Sequence, residues 1–396
     1  MKTYVLWIDA LSPLDINQKI TPYLFYLSRK YNLGEVTPVL GYNSIAAAFF
    51  TGYYPEETNQ FTVFCKLEDS LEKQFFLKIL PPPYSSYPQN LIQYYKNEKF
   101  LTYYPKYEHI RFFNLAQKGF YHQQNAIDKK TIFNYLDNNQ NPYYCLKWPL
   151  FIYPKFKNGL YRTRDKLLLF NNNDYELTKY FIKNINKNKA DVFFHTLGSL
   201  DNIAHFNKRN SLKFQTHLKY IDNCVKLFVS KIDLKRDNFM IWSDHGMVGI
   251  KQYVNILKEL PINGDGINYF IDSTIARFWF HNFKKKKYIM DNLSLYNQGR
   301  WLNKEDMIKY RIRFSDSRFG NEMFLLNEGS VFSPNFYDKG TDYVGMHGYS
   351  GATKEEKGTL IINKSFKKYC TTVDLFATLA KLCQLPSVPS QGQALI

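Results

Sequence analysis

Three short apolar runs, each followed closely by residues able to bind a metal ion, constrain this chain more than any other feature. Tyr4-Val5-Leu6-Trp7-Ile8 leads straight into Asp9. Asp191-Val192-Phe193-Phe194-His195-Thr196 precedes Asp201, and Asn238-Phe239-Met240-Ile241-Trp242 leads into Ser243-Asp244-His245-Gly246-Met247. Such short, largely apolar runs read as buried parallel strands. In open α/β sheets, ligand groups gather beyond the carboxyl ends of the strands. Residues far apart in sequence therefore meet at one edge.

Two further motifs complete the set: the turn Gly41-Tyr42-Asn43-Ser44 and the segment Gly345-Met346-His347-Gly348-Tyr349. Together the five supply Asp9, Asp201, Asp244, His205, His245, His347 and the hydroxyl of Ser44. Three carboxylates and three imidazoles suit two adjacent divalent ions, zinc first and manganese second. Asp201 and His205 are four residues apart, so one helical turn puts them on one face. Asp244 and His245 are adjacent, which requires a loop or extended backbone. Glycines around His347 let the chain approach a crowded site.

Ser44 is the candidate nucleophile. It opens the apolar run Ile45-Ala46-Ala47-Ala48-Phe49-Phe50, which predicts a helix ending at Thr51-Gly52. Backbone N–H groups and the helix dipole at such a start favour a phosphoryl group. A divalent ion beside the hydroxyl would lower its pKa. The side chain of Asn43 offers a donor to a non-bridging oxygen. Taken singly, an Asp-x-x-x-His helix is more often plain surface and Ser-Asp-His-Gly an ordinary turn. The five motifs together are specific.

On these residues the chain resembles the alkaline phosphatase superfamily, on its nucleotide pyrophosphatase/phosphodiesterase-like side. The resemblance implies that Asp9, Ser44, Asp244 and His245 bind the nucleophile's metal, and that Asp201, His205 and His347 bind the other. Thr51-Gly52-Tyr53-Tyr54-Pro55-Glu56 resembles the segment following the nucleophile helix. Thr372 to Leu379, then Leu385-Pro386, resembles the C-terminal helix and exit. Two features depart from the pattern. Relatives carry His-Gly after Pro-Glu, where this chain has Glu57-Thr58-Asn59, and their nucleophile register falls on Tyr42 or Asn43. Ser44 is the only small hydroxyl in that turn. The Cys-x-Pro-x-Arg segment expected of a sulfatase is absent.

The expected fold is therefore α/β: an alkaline-phosphatase-like core with a mostly parallel central sheet flanked by helices, plus inserted caps. Core segments are read as 1–75, 190–261 and 340–396, a basic aromatic insertion as 76–189, and a smaller insertion as 262–339. Pro81-Pro82-Pro83 marks the first boundary. Tyr175 to Ile185 reads as a helix, and Thr274 to Phe280 as a strand around Arg277. His109, His122, His195, His217 and His281 follow no ligand pattern.

The expected chemistry is two-metal hydrolysis of a phosphodiester or pyrophosphate through a phosphoseryl intermediate. A phosphomonoesterase or phosphoryl transferase is the alternative within the class. A non-catalytic binder of anionic glycans or nucleic acid is the alternative outside it. The 396 residues suffice for a large core. The start of the sequence has no signal-peptide pattern, no run is long enough to span a membrane, and the five cysteines follow no Cys-x-x-Cys spacing. These features predict reduced thiols and a cytoplasmic setting.

The formal charge of +17 predicts an anionic partner. That partner is read as a phosphate-containing small molecule or glycan rather than nucleic acid, with peripheral membrane contact as a further expectation. Abundant Lys, Asn, Tyr, Phe and Ile also fit an AT-rich gene. Residues 101–190 hold 15 Lys and Arg against 6 Asp and Glu, so +9 of the +17 lies there, with 20 of the 70 aromatic residues. The insertion is thus the expected selector of substrate. Neutralising Arg162 and Arg164 together should lower kcat/KM much more for a large diester than for a small aryl phosphate. Equal losses on both, or none, would mark these residues as a solvated face.

Overall fold

In the computed structural model the three apolar runs are adjacent parallel strands. Residues 1–66, 113–115, 127, 129–146, 159–161, 173–185, 187, 189–260, 266–335 and 343–396 are described. Arg162, Arg164 and Pro81-Pro82-Pro83 lie outside them. Thr3–Ile8 pairs on one side with Val192–Leu197 and on the other with Asn238–Trp242. Around this trio runs an eight-stranded sheet. Beyond Asn238–Trp242 come Gly358–Ile362, Gly34–Thr37 and Tyr369–Thr371. Beyond Val192–Leu197 come Tyr143–Leu146 and Gly159–Tyr161. Only Gly358–Ile362 runs antiparallel to its neighbours.

All residues of the three central strands are buried, as their largely apolar character demands, and Thr3, His195, Thr196 and Asn238 are buried with them. Successive side chains point to opposite faces. Tyr4, Leu6 and Ile8 pack with Leu24 and Leu27 of the helix Pro22–Tyr31, Phe181 of Asp174–Ile185, and Phe214 to Val229 of Leu212–Val229. Val5 and Trp7 pack with Phe49, Phe50, Leu375, Phe376 and Leu379. There the ring of Trp242 stacks on Trp7 at 4.8 Å and on Phe49 at 3.9 Å. Phe49 belongs to the helix Ser44–Thr51, so this stack fixes the candidate nucleophile's helix to the sheet.

One expectation needs correction. Tyr143–Leu146 and Gly159–Tyr161 lie inside the segment read as an insertion, yet they pair in parallel with the central sheet. The helix Asp174–Ile185 packs on that sheet as well. Tyr143–Leu146, Gly159–Tyr161 and Asp174–Ile185 therefore belong to the core. The two strands are short and lie among aromatic, polar and basic residues, which hid their period.

Residues 267–326 contain a separate four-stranded antiparallel sheet, ordered Ile267–Ile271, Ile275–Phe280, Glu322–Leu326, Gly299–Trp301. Arg277 is completely buried within it. Its Nε donates to Asp272 at 2.7 Å, one terminal nitrogen donates to the carbonyl of Phe64 at 2.9 Å, and the guanidinium lies over Phe270 and Trp279. Removing one partner of such a pair leaves a buried charge without compensation. Asp272→Ala should lower unfolding stability by about 3–5 kcal/mol in a denaturant titration. A loss near zero would show that the pair contributes nothing beyond its volume.

Candidate metal centre

The candidate ligands meet at the carboxyl edge of the sheet because the strands are in register. Ile8 is level with Leu197, and Trp7 with Trp242, so Asp9 leaves the sheet at the height of Gly198 and Asp244. Asp9 N–H donates to Leu197 O at 3.0 Å. The chain then forms the helix Ser199–Phe206, which carries Asp201 and His205 on one face. His205 Nε2 lies 3.4 Å from Asp201 Oδ1.

After Trp242 the backbone turns sharply. Ser243 Oγ donates to His245 O and accepts from Leu11 N–H, while Ala10 N–H donates to Asp244 Oδ1. Gly246 N–H donates to Glu356 O at 2.7 Å. A Cβ at Gly246 would stand 2.1 Å from Glu355 O, so only glycine lets this turn sit against the 355–357 backbone. Asp244 and His245 are thereby splayed toward Asp9. His245 Nε2 is 3.3 Å from Asp244 Oδ2 and 3.6 Å from Asp9 Oδ1.

His347 closes the arrangement. Its ring stacks on His245 at 3.7 Å, and its Nε2 is 3.8 Å from Asp201 Oδ1. Two groups result, each with its ligand atoms within 4.8 Å of one another: Asp9, Asp244, His245, and Asp201, His245, His347. His245 belongs to both.

The hydrogen bonds set the imidazoles up as ligands. Nδ1 of His245 donates to Gly246 O at 2.8 Å, and Nδ1 of His205 donates to Gly345 O at 2.9 Å. In the neutral rings this leaves each Nε2 lone pair facing the carboxylates, the tautomer a metal needs. Burial holds His347 well below the usual imidazole range, with His245 and His205 adding to the effect. Burial raises Asp9 well above the carboxylate range, and Asp244, Asp201 and Asp174 raise it further. Asp201 Oδ1 and His347 Nδ1 are buried without a hydrogen-bond partner. Crowded carboxylates, a His347 held below the imidazole range and buried donor atoms without hydrogen-bond partners fit divalent cations.

The turn before the helix Ser44–Thr51 differs in detail from expectation. Ser44 Oγ lies 2.6 Å from Leu40 O and 2.7 Å from Gly41 O, so its hydrogen is engaged within the turn. Asn43 donates one amide hydrogen to Thr62 O at 3.0 Å. Sequence reasoning places these side chains in the turn without indicating their rotamers, because the competing carbonyls belong to the turn itself and to a later segment.

The ring of Tyr42, given no role from sequence, stands nearly perpendicular to that of His347 at 5.8 Å. Thr274, from the antiparallel sheet's hairpin, donates its hydroxyl to Gly348 O at 2.7 Å and accepts from the Tyr42 hydroxyl at 2.8 Å. A Cβ at Gly348, whose φ is +89°, would meet the Tyr42 ring at 2.6 Å.

The type I phosphodiesterase / nucleotide pyrophosphatase family profile matches residues 3–350. No curated protein sequence matches. Human ectonucleotide pyrophosphatase / phosphodiesterase 5 superposes with a TM-score of 0.72 at 16% identity, over 99% of this chain and 97% of that one. The mouse protein, as an inactive variant in complex with AMP, gives 0.70 at 16% identity over the same shares. The likeness establishes the shared fold: an α/β core with a mostly parallel central sheet.

The loop following His347 is clasped by Glu356, a fully enclosed carboxylate that accepts from Tyr349 N–H and from Gly351 N–H, the latter at 2.7 Å. Burial pushes it up to about 8. An acid raised in the folded state binds more protons folded than unfolded between its ordinary value and about 8, so its contribution to stability declines as pH rises through that window. Metal-free protein should therefore lose on the order of a few kcal/mol between mildly acid and alkaline pH. Glu356→Gln should flatten the decline in pH-dependent urea titrations; an unchanged slope would assign it to other groups.

Proposed function

The chain belongs to the type I phosphodiesterase / nucleotide pyrophosphatase family, and from that premise we propose that it hydrolyses phosphodiester or pyrophosphate bonds with two divalent ions, zinc in the first instance. The observation carrying this reading is the convergence of Asp9, Asp244 and His245 in one group of ligand atoms and of Asp201 and His347 in a neighbouring one, where His205 Nε2 stands 3.4 Å from Asp201. Bound there, the ions would act as Lewis acids toward phosphoryl oxygens and would ease ionisation of the attacking hydroxyl.

The residues divide the work. Asp9, Asp244 and His245 would hold the ion nearer the attacking group. Asp201, His205 and His347 would hold the ion nearer the leaving oxygen. Ser44 attacks phosphorus in line, a P–O bond to the leaving group breaks, and the phosphoseryl ester is then hydrolysed by water. Rotation about Cα–Cβ releases its hydroxyl from Leu40 O and Gly41 O before attack. The first-turn N–H groups of the helix Ser44–Thr51 lack intrahelical acceptors and favour the phosphoryl oxygens. Asn43 has a second amide hydrogen for the same purpose.

A nucleotide-like substrate is supported by the AMP bound to the mouse relative and by the basic charge of this chain. A panel of diesters, monoesters, nucleoside triphosphates and nucleotide-sugars tests the class directly. Turnover restricted to monoesters would replace the diesterase reading.

Elemental analysis of protein purified without chelator should find roughly two divalent ions per chain. Absence of metal, with no activation by zinc or manganese, would overturn the reading. Ser44→Ala should lower kcat by several orders of magnitude with metal content unchanged. Near-normal turnover would transfer the attack to water or to another group of the turn, leaving Ser44 a brace for the helix start.

A further inference from the structure

The helix Ser199–Phe206 carries two of the six Asp and His ligands but has no cap of its own. Its N-cap residue is Gly198, without a side chain to accept the first N–H groups. That place is taken from another helix. Asp174, completely buried at the start of Asp174–Ile185, accepts from Gly198 N–H at 3.4 Å, from Ser199 N–H at 3.0 Å and from Ser199 Oγ at 2.6 Å.

The direction of the next link follows. Ser199 has one hydroxyl hydrogen, and the 2.6 Å contact with a carboxylate takes it. The remaining contact, 2.8 Å to His217 Nε2, therefore has the imidazole as donor. A hydrogen on Nε2 suits a neutral ring, and burial pulls His217 below the usual imidazole range against the opposing charge of Asp174. The chain of donors runs from His217 to Ser199 to Asp174. It is not a nucleophile–base pair, because the serine's proton points away from the imidazole.

The same cluster ties three helices together. The ring of His217 packs against Tyr220 on the helix Leu212–Val229, and Tyr220 accepts from Tyr175 N–H and donates to Asn173 beside Asp174. The charge of Asp174 also reaches Asp9.

We infer that Asp174, Ser199 and His217 form a positioning unit that fixes the Ser199–Phe206 helix, so that Asp201 and His205 are held ready for a divalent cation. This rests on the metal reading of the site. Neighbours that orient metal ligands typically contribute 10–100-fold in affinity.

The test is calorimetric titration of chelator-stripped full-length protein with zinc and with manganese, alongside melting of the metal-free forms. Asp174→Asn should weaken binding at one site roughly 10–100-fold. Ser199→Ala should weaken it by about ten-fold, and Ser199→Thr, which keeps the hydroxyl, should restore it. His217→Gln, which keeps an N–H donor, should bind like wild type, whereas His217→Leu should follow Ser199→Ala. Melting of the metal-free variants should fall only by the modest amount that loss of a helix cap entails. Unchanged affinities, a loss that threonine does not restore, or a fall in metal-free melting with affinity intact would overturn the inference. Should Asp174→Asn fail to fold, the two Ser199 variants decide alone. Failure of wild type to bind either ion would overturn the functional reading and this inference with it; equal binding by wild type and variants overturns this inference only.

Discussion

The site depends on the register of three parallel strands. Ile8 pairs with Leu197 and Trp7 with Trp242. A slip of one residue would turn every side chain to the opposite face and put Asp9 out of level with the Ser243 turn. The register is enforced by burial on both faces, above all by the stack of Trp7, Trp242 and Phe49. Apolar packing therefore determines where charges as close as 3.3–3.8 Å from their neighbours must lie.

That placement is costly for the protein alone. Asp9 is pressed by burial and by Asp244, Asp201 and Asp174, while His347 is held neutral by burial and its fellow imidazoles. Neither pattern is useful to a metal-free fold. The charge of the proposed divalent ions would make both favourable, so the arrangement fits a cation cradle better than a network of internal salt bridges.

Much of this was legible in sequence. The strands appeared where largely apolar runs preceded Asp9, Asp201 and Asp244, since burial of a parallel strand on both faces leaves a mostly apolar signature. The Asp201–His205 spacing gave its helix directly. What stayed hidden depends on contacts between distant segments. Nothing near Asp174 or His217 announces that Ser199 will stand between them. Glu356 resembles any surface acid until its two backbone donors are seen. The strands at 143–146 and 159–161 are too short for their period to stand out. The rotamer of Ser44 is decided by two carbonyls of its own turn, which composition cannot reveal.

The hydroxyl of Thr274 has a mechanical consequence. It joins the antiparallel sheet to Tyr42 on one side and to Gly348 on the other. A hinge motion of that sheet would drag the segment bearing His347 with it, because the glycine beside that histidine has no room to slide past the Tyr42 ring. The sheet is thus a structural abutment of the cradle. Its hairpin at Thr274 is bound to the position of the loop that follows His347, whatever the rest of the sheet carries.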